Sequence, residues 1–153
     1  MQQIREYLSN ISAAAVGSNE RESAIGVIVA IIGAAGTALG GWDKGMIILI
    51  ILMAGDYITG VLGAIKTKTV NSDVMYWGGI RKIVVLFVIY LAYAIDGWMH
   101  PDAPIFRTLA IYFYVGREGL SVIENLGTLN VPLPQKMKDV LQQLNEKGEG
   151  KSG

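Results

Sequence analysis

The stretch GMIILIILMAGDYITGVLGAI, residues 45–65, decides the fold. It is long enough to cross a hydrocarbon core of ~30 Å at ~1.5 Å per residue, and this predicts a membrane-spanning helix. Asp56 lies in its middle, where a carboxylate costs ~2.5–3.5 kcal/mol on insertion scales. Two interpretations of Asp56 stay open at this point. It makes a shielded hydrogen bond between helices, or it lines a water-filled or oligomeric assembly.

The composition also indicates a membrane protein. Of the 153 residues 52% are hydrophobic, and the charged residues concentrate at the two ends and in one central loop. Lysine plus arginine and aspartate plus glutamate both number 13, so there is no basic field that would attract nucleic acid. The chain has no cysteine, which excludes disulfides, cysteine-ligated zinc and thiol nucleophiles. The sequence therefore predicts an all-α integral membrane protein without cofactor or metal, whose first partner is the lipid bilayer.

The amino-terminal region divides into an amphipathic segment and a first span. Residues 1–23 carry an apolar stripe at helical spacing, which predicts a short helix on the membrane surface or on a partner: Ile4, Tyr7, Leu8 and Ile11. Residues 24–41 form the first predicted span. A cleaved signal peptide is the competing interpretation, but the preceding region lacks the positive charge that such a peptide needs.

Small residues follow one face of this first span. Gly26, Gly33 and Gly40 share that face, and Gly36 with Gly40 makes a GxxxG pair. Faces of this kind let another helix approach closely, and such packing stabilises helix association in lipid. Contact within one chain and contact between copies both remain open.

The polar loop that follows residue 65 sets the orientation. It is rich in lysine and arginine, so the positive-inside rule places it in the cytoplasm. The third span is predicted over residues 80–98. Lys82 and Asp96 lie at its two ends, where each can extend to its own interface.

The segment 105–126 is a fourth helix with one polar side. It fits a span that faces protein or water, and it also fits a helix lying in the interface. Parity favours spanning, because a cytoplasmic amino terminus, basic loop and tail require four crossings; three spans remain the alternative.

If this helix spans, depth alone predicts two groups of ion pairs. Arg107 would lie beside Asp96 near the outer end, and Glu118 would approach Arg81 and Lys82 near the inner end.

The last predicted region is residues 127–153. Prolines at 132 and 134 end the preceding helix. Apolar residues at helical spacing then predict a short amphipathic cytoplasmic helix, followed by a disordered tail rich in Gly, Lys, Glu and Ser.

Five short motifs, in order along residues 47–144, resemble the phage lysis and toxin-secretion holin family. They are DYITG at 56–60, NS at 71–72, GIRK at 79–82, the Asp at 96, and EGLSVIEN at 118–125 with VPLP at 131–134. By this resemblance the positions shared with the family are Asp56, Thr59, Gly60, Lys82, Asp96, Glu118, Ser121, Glu124 and Asn125.

The resemblance implies a holin that accumulates in the bacterial cytoplasmic membrane, forms homo-oligomers and opens lesions. An endolysin then reaches the cell wall; some members are thought to serve toxin export, and an antiholin partner is left open. A small ion channel or transporter, or a non-conducting accessory subunit, remains the alternative. An enzyme is not expected, because no nucleophile with a base and no metal-ligand set is visible in the sequence.

Overall fold

The computed structural model describes residues 4–5 and 20–150. The predicted amphipathic helix within residues 1–23 lies mostly outside this part of the chain, as do the last three residues of the tail. Within the described residues there are five helices and no strand, which confirms the all-α prediction. They are α1 (Glu20–Ala38), α2 (Lys44–Thr67), α3 (Ser72–Met99), α4 (Ile105–Thr128) and α5 (Gln135–Gly148).

Three of these helices are long and apolar enough to cross a membrane. The qualifying segments are Arg21–Ala38, Lys44–Thr67 and Ser72–Met99. Helix α4 has 24 residues, but it carries Arg107, Arg117, Glu118 and Glu124 and is not among them. The protein is therefore a helical membrane protein, and a fourth crossing by α4 remains a prediction.

The chain forms two compact units, Met1–Ala38 and Leu39–Gly153. In the first unit α1 ends at Ala38, earlier than the predicted residue 41, because Gly40 and Gly41 adopt φ angles of 83° and 105° that a right-handed helix excludes. Gly40 therefore does not belong to α1, and the prediction of a Gly36–Gly40 pair on one helix is wrong. Along α1, Gly26 is half-buried, Gly33 is exposed and Gly36 is buried.

Side-chain caps set where two helices of the second unit begin. The Asp43 carboxylate accepts a 2.9 Å hydrogen bond from the Met46 N–H at the start of α2. Asn71 accepts from the N–H groups of Asp73 and Val74, at 2.9 and 3.3 Å. Because of this cap α3 begins at Ser72, a full two turns before the predicted residue 80.

Helix α4 is the central helix of the second unit. It packs against α2, α3 and α5, whereas α2 and α3 contact each other only slightly. We call the end of the bundle at Lys44, Met99 and Ile105 the clamp end, and the end at Thr67, Ser72 and Thr128 the groove end.

The buried apolar core occupies the half of the bundle nearer the clamp end. It combines residues from the first half of α2, the second half of α3 and the first half of α4, and it includes Met46, Leu49, Met53, Val85, Ile89, Ile111 and Val115. Lipid tails are as apolar as these side chains, so close packing is what stabilises this core. Polar residues occupy the middle and the groove end, where the apolar core stops.

Candidate functional site: a charged cluster in the middle of the bundle

Three charged side chains from three helices meet halfway along the bundle. The Lys82 ammonium donates to the Asp56 Oδ2 and to the Glu118 Oε2. The side chains of Lys82, Asp56 and Glu118 are only 16%, 18% and 7% exposed. We call these three residues the acid–lysine cluster.

The helix boundaries explain why these residues meet. Asp56 lies halfway along α2 and Glu118 just past the middle of α4. The early start of α3 at Ser72 moves Lys82 about 15 Å into that helix, at ~1.5 Å per residue, so it lies level with both acids. The prediction that Lys82 extends to the membrane interface is therefore wrong.

Asn125 and Thr59 extend the acid–lysine cluster along one side. The Asn125 Nδ2 donates to the Asp56 Oδ1 at 3.0 Å, to the Asp56 carbonyl at 3.2 Å and to the Thr59 Oγ1 at 3.2 Å. The Thr59 hydroxyl donates to the Gly55 carbonyl at 2.7 Å. Gly60 lies beside this arrangement, and a Cβ there would be in ordinary contact with the Asn125 Nδ2, at 3.5 Å. The two carboxylates thus share one ammonium, and Asp56 also accepts from one amide.

A polar groove opens beside the acid–lysine cluster. Its cavity measures about 660 Å³ and lies between α2, α3, α4 and the last turn of α5. Ser121, Glu124, Arg81 and Arg117 are among its lining residues. Glu118 pairs with Lys82 as depth suggested, but Arg81 makes no salt bridge within the described part of the chain. We refer to this cavity as the groove.

Arg107 closes the opposite end of the bundle. It is 4% exposed, and its guanidinium donates to the carbonyls of Leu39 at 2.6 Å and Gly41 at 3.0 Å and pairs with the Asp43 carboxylate. Gly40 makes the approach possible, because a Cβ there would lie 2.7 Å from the Arg107 Nε. This contact, which we call the arginine clamp, fixes the α1–α2 connection to α4.

The predicted Arg107–Asp96 ion pair is wrong in its geometry. Asp96 is 3% exposed, and its carboxylate accepts from the backbone N–H groups of Phe106 at 2.9 Å and Arg107 at 2.8 Å. It therefore caps the start of α4, where a helix N-terminus favours a negative charge.

Asp43 takes the place that was predicted for Asp96 as the partner of Arg107. Partial burial on its own raises the pKa of the Asp43 carboxyl, but hydrogen bonds from the Met46 N–H and Arg107 outweigh it and hold that pKa below its ordinary value. Sequence reasoning missed Asp43; the available signal was an acid directly before an apolar helix.

The charges of the cluster are satisfied within one bundle. Lys82 pairs with both acids at once, and Asn125 donates to Asp56 beside it. Asp56, Lys82 and Glu118 also line the groove, so one side of the cluster faces this cavity.

Comparison with known proteins identifies relatives of this chain. The model of the bacteriophage holin family matches residues 33–146, which confirms the resemblance of the sequence motifs. An uncharacterized 14.9 kDa protein of Clostridium perfringens is 39% identical over 108 residues, covering 71% of this chain and 82% of that protein. An uncharacterized Bacillus subtilis protein is 35% identical over 114 residues, covering 73% and 80%. A probable holin of Bacillus phage phi105 is 32% identical over 105 residues, covering 69% and 77%. No solved structure matches.

Proposed function

This chain belongs to the bacteriophage holin family, and from that premise we propose that it assembles in the bacterial cytoplasmic membrane and opens lesions. An endolysin then passes to the cell wall, and the host cell lyses. The observation that carries the proposal is the acid–lysine cluster with the groove beside it. A membrane bundle that only had to be stable would gain little from three ionisable groups at this depth.

The proposed topology has four crossings, with the amino terminus and the end of α4 on the cytoplasmic side. Support comes from the path of α4, which follows α2 in the same direction: Cβ atoms at Gly45 and Gly63 would lie 3.1 and 3.6 Å from Ile111 and Thr128. Since α2 is an apolar span, α4 lies at the same depth along its length. The clamp end then faces outward and the groove end faces the cytoplasm.

The proposed trigger is an exchange of helix contacts as the protein accumulates. In the monomer, the acid–lysine cluster satisfies its own charges. Large apolar side chains on α2 and α3 are exposed and suited to lipid, for example Ile51 at 63% and Ile83 at 64%. In the assembly, polar groups turned toward the groove face water between copies. A fall in membrane potential biases this exchange, because moving one charge through the field is worth about 2.3 kcal/mol per 100 mV.

The deciding experiment is controlled expression in a bacterium together with a cytoplasmic endolysin that lacks an export signal. Culture density and membrane potential are followed together, and a catalytically inactive endolysin is the matched control. We expect sudden depolarisation in both cultures and lysis only with the active endolysin. Continued growth at full potential, with the protein present in the membrane, would contradict the proposal and favour an accessory subunit or a gated channel.

The role of the acid–lysine cluster has its own test in the same cells. Asp56→Asn leaves one acid for one ammonium, and we expect this change of charge to shift the time of lysis. The matched control is Asp102→Asn in the loop between α3 and α4, which should lyse on the wild-type schedule. Unchanged timing for Asp56→Asn would remove Asp56 from the mechanism.

A further inference from the structure

Helix α5 lies antiparallel on α4 at a separation that only glycine allows. A Cβ at Gly116 would lie 2.4 Å from the Asn145 backbone nitrogen, and one at Gly148 would lie 2.3 Å from the Phe113 backbone nitrogen. The Asn145 Nδ2 donates to the Phe113 carbonyl at 3.1 Å. The contact is thus specific, and it runs from the groove end of α4 back past its middle.

The same face of α4 holds the apolar side of α5. A Cβ at Gly119 would lie 2.6 Å from the Leu141 Cδ2, and Leu144 packs against the apolar core. Because α4 follows α2, the docked α5 lies at the depth of a membrane span. The sequence predicted this helix as a separate cytoplasmic element, and its docking along α4 was not foreseen.

The outward side of α5 is mainly charged and polar. None of its residues is fully buried. The exposed polar residues include Lys136, Lys138, Asp139, Gln142, Gln143, Glu146 and Lys147, and Met137 and Val140 are each 50% exposed as well. Such a surface cannot face hydrocarbon. The outer side of α2, by contrast, is apolar, with Ile51 63% exposed.

We propose that the docked α5 forms the water-facing wall of the lesion, with α2 and α3 toward lipid. The inference rests on the proposed function and adds to it the element that lines the opening. The α4–α5 pair of each copy then presents one polar side. In a ring or raft of copies, the outward surfaces of α5 surround the water-filled opening. The partner that this surface fits is water and the solutes that cross, rather than another protein.

The first test locks α5 onto α4. The chain has no cysteine, so Gly116→Cys with Asn145→Cys supplies the only thiols. An ideal Cβ at 116 lies 2.6 Å from the Asn145 Cβ, and a disulfide needs about 3.5–4.5 Å between Cβ atoms, so the helices separate by only about an ångström. Full-length protein is placed in dye-loaded phospholipid vesicles, oxidised, and checked for an intramolecular crosslink on a non-reducing gel.

We expect the oxidised protein to release dye within about twofold of the rate of the reduced protein. A tenfold or larger loss on oxidation that reduction restores would overturn the proposal, because α5 would then have to leave α4 before a lesion forms. The single variants Gly116→Cys and Asn145→Cys are the matched controls for the substitutions themselves. Wild-type protein that releases no dye would contradict the proposed function instead, and the second test still decides the position of α5.

The second test measures where α5 lies without altering the glycine contacts. Nitroxide labels are attached to Gln142→Cys on α5 and to Ile51→Cys, an exposed lipid-side position of α2. We expect the label at 142 to collide with a water-soluble nickel complex, the label at 51 to collide with oxygen, and the doubly labelled protein to give one narrow distance distribution. A broad distribution with a water-exposed label at 142 would place α5 free in the bulk solution and refute the proposal. Collision of the label at 142 with oxygen alone would place it in lipid and refute the proposal as well.

Discussion

Replacing Lys82 by methionine removes the cation that the buried Glu118 and the half-buried Asp56 share. Asp56 and Glu118 both depend on its ammonium, and the Glu118 side chain is only 7% exposed. Breaking a buried ion pair by removing one partner costs about 3–5 kcal/mol, since the remaining charge stays desolvated. Asn125 offsets part of this cost at Asp56 alone. We therefore expect Lys82→Met to lower the free energy of unfolding by about 3–5 kcal/mol.

The assay is denaturant unfolding of the detergent-solubilised protein, followed by circular dichroism. The expected loss corresponds to a change of roughly 10² to a few times 10³ in the unfolding constant, at about 1.4 kcal/mol per tenfold. Lys66→Met is the matched control: its exposed ammonium donates to the Thr128 carbonyl at 2.8 Å, and its loss should cost below about 1 kcal/mol.

Neutralising the acids tests the cause of that loss. In the triple variant Lys82→Met, Asp56→Asn, Glu118→Gln no buried charge is left unpaired, so most of the lost stability should return. A Lys82→Met variant as stable as Lys66→Met would refute the reasoning, since the cluster would then make no net electrostatic contribution. A triple variant no more stable than Lys82→Met would show that lost packing, rather than unpaired charge, sets the cost.

Three further predictions concern the arginine clamp and the acid–lysine cluster. Gly41→Ala should lower the free energy of unfolding by about 1–2 kcal/mol, because of the positive φ at this position alone. Gly40→Ala should lower it by about 1–3 kcal/mol more, because the new Cβ meets Arg107. Equal unfolding free energies of the two variants would contradict the arginine clamp. The pKa of Asp43 is lowered in the folded protein, so the stabilisation by this carboxylate is present above the unfolded pKa of about 3.9 and is lost as pH falls through the lower folded value. The free energy of unfolding, measured between about pH 3 and 7, should therefore fall less steeply with acid in Asp43→Asn than in the wild type. Identical pH curves for the two proteins would exclude this role of Asp43. Asn125→Leu should lower the free energy of unfolding by about 1–3 kcal/mol, because it removes a donor to Asp56. In the Asp56→Asn background the same substitution should cost less. Equal costs in the two backgrounds of this double-mutant cycle would show that the two side chains act independently.

The spans were predictable from the sequence because apolar length alone defines them. Residues 45–65 match α2 closely, and the cap at Asn71 is the sort of local signal that would have extended α3. The start of α3 was missed because residues 72–79 mix polar and aromatic side chains, so an apolar pattern does not mark the boundary. That single boundary decided whether Lys82 was read as an interface residue or as the partner of Asp56.

The residues of the candidate site were predictable as a set, but their partners were not. Asp56, Glu118 and Asn125 all came from the polar face and the family motifs. The depth of Glu118 in the membrane does not show whether it pairs with Arg81 or with Lys82. The rotation of each helix about its own axis decides this, and the sequence does not give that rotation. Arg107 shows the same limit: its guanidinium turns to Asp43, which no periodicity connects to α4.

The slight contact between α2 and α3 has a consequence for synthesis of the chain. A newly inserted α2–α3 hairpin has little interhelical packing of its own, because each helix rests mainly on α4. Ile111 and Val115 of α4 belong to the buried core, so the packing of α2 and α3 is incomplete until residues 105–128 have been made and α4 joins them.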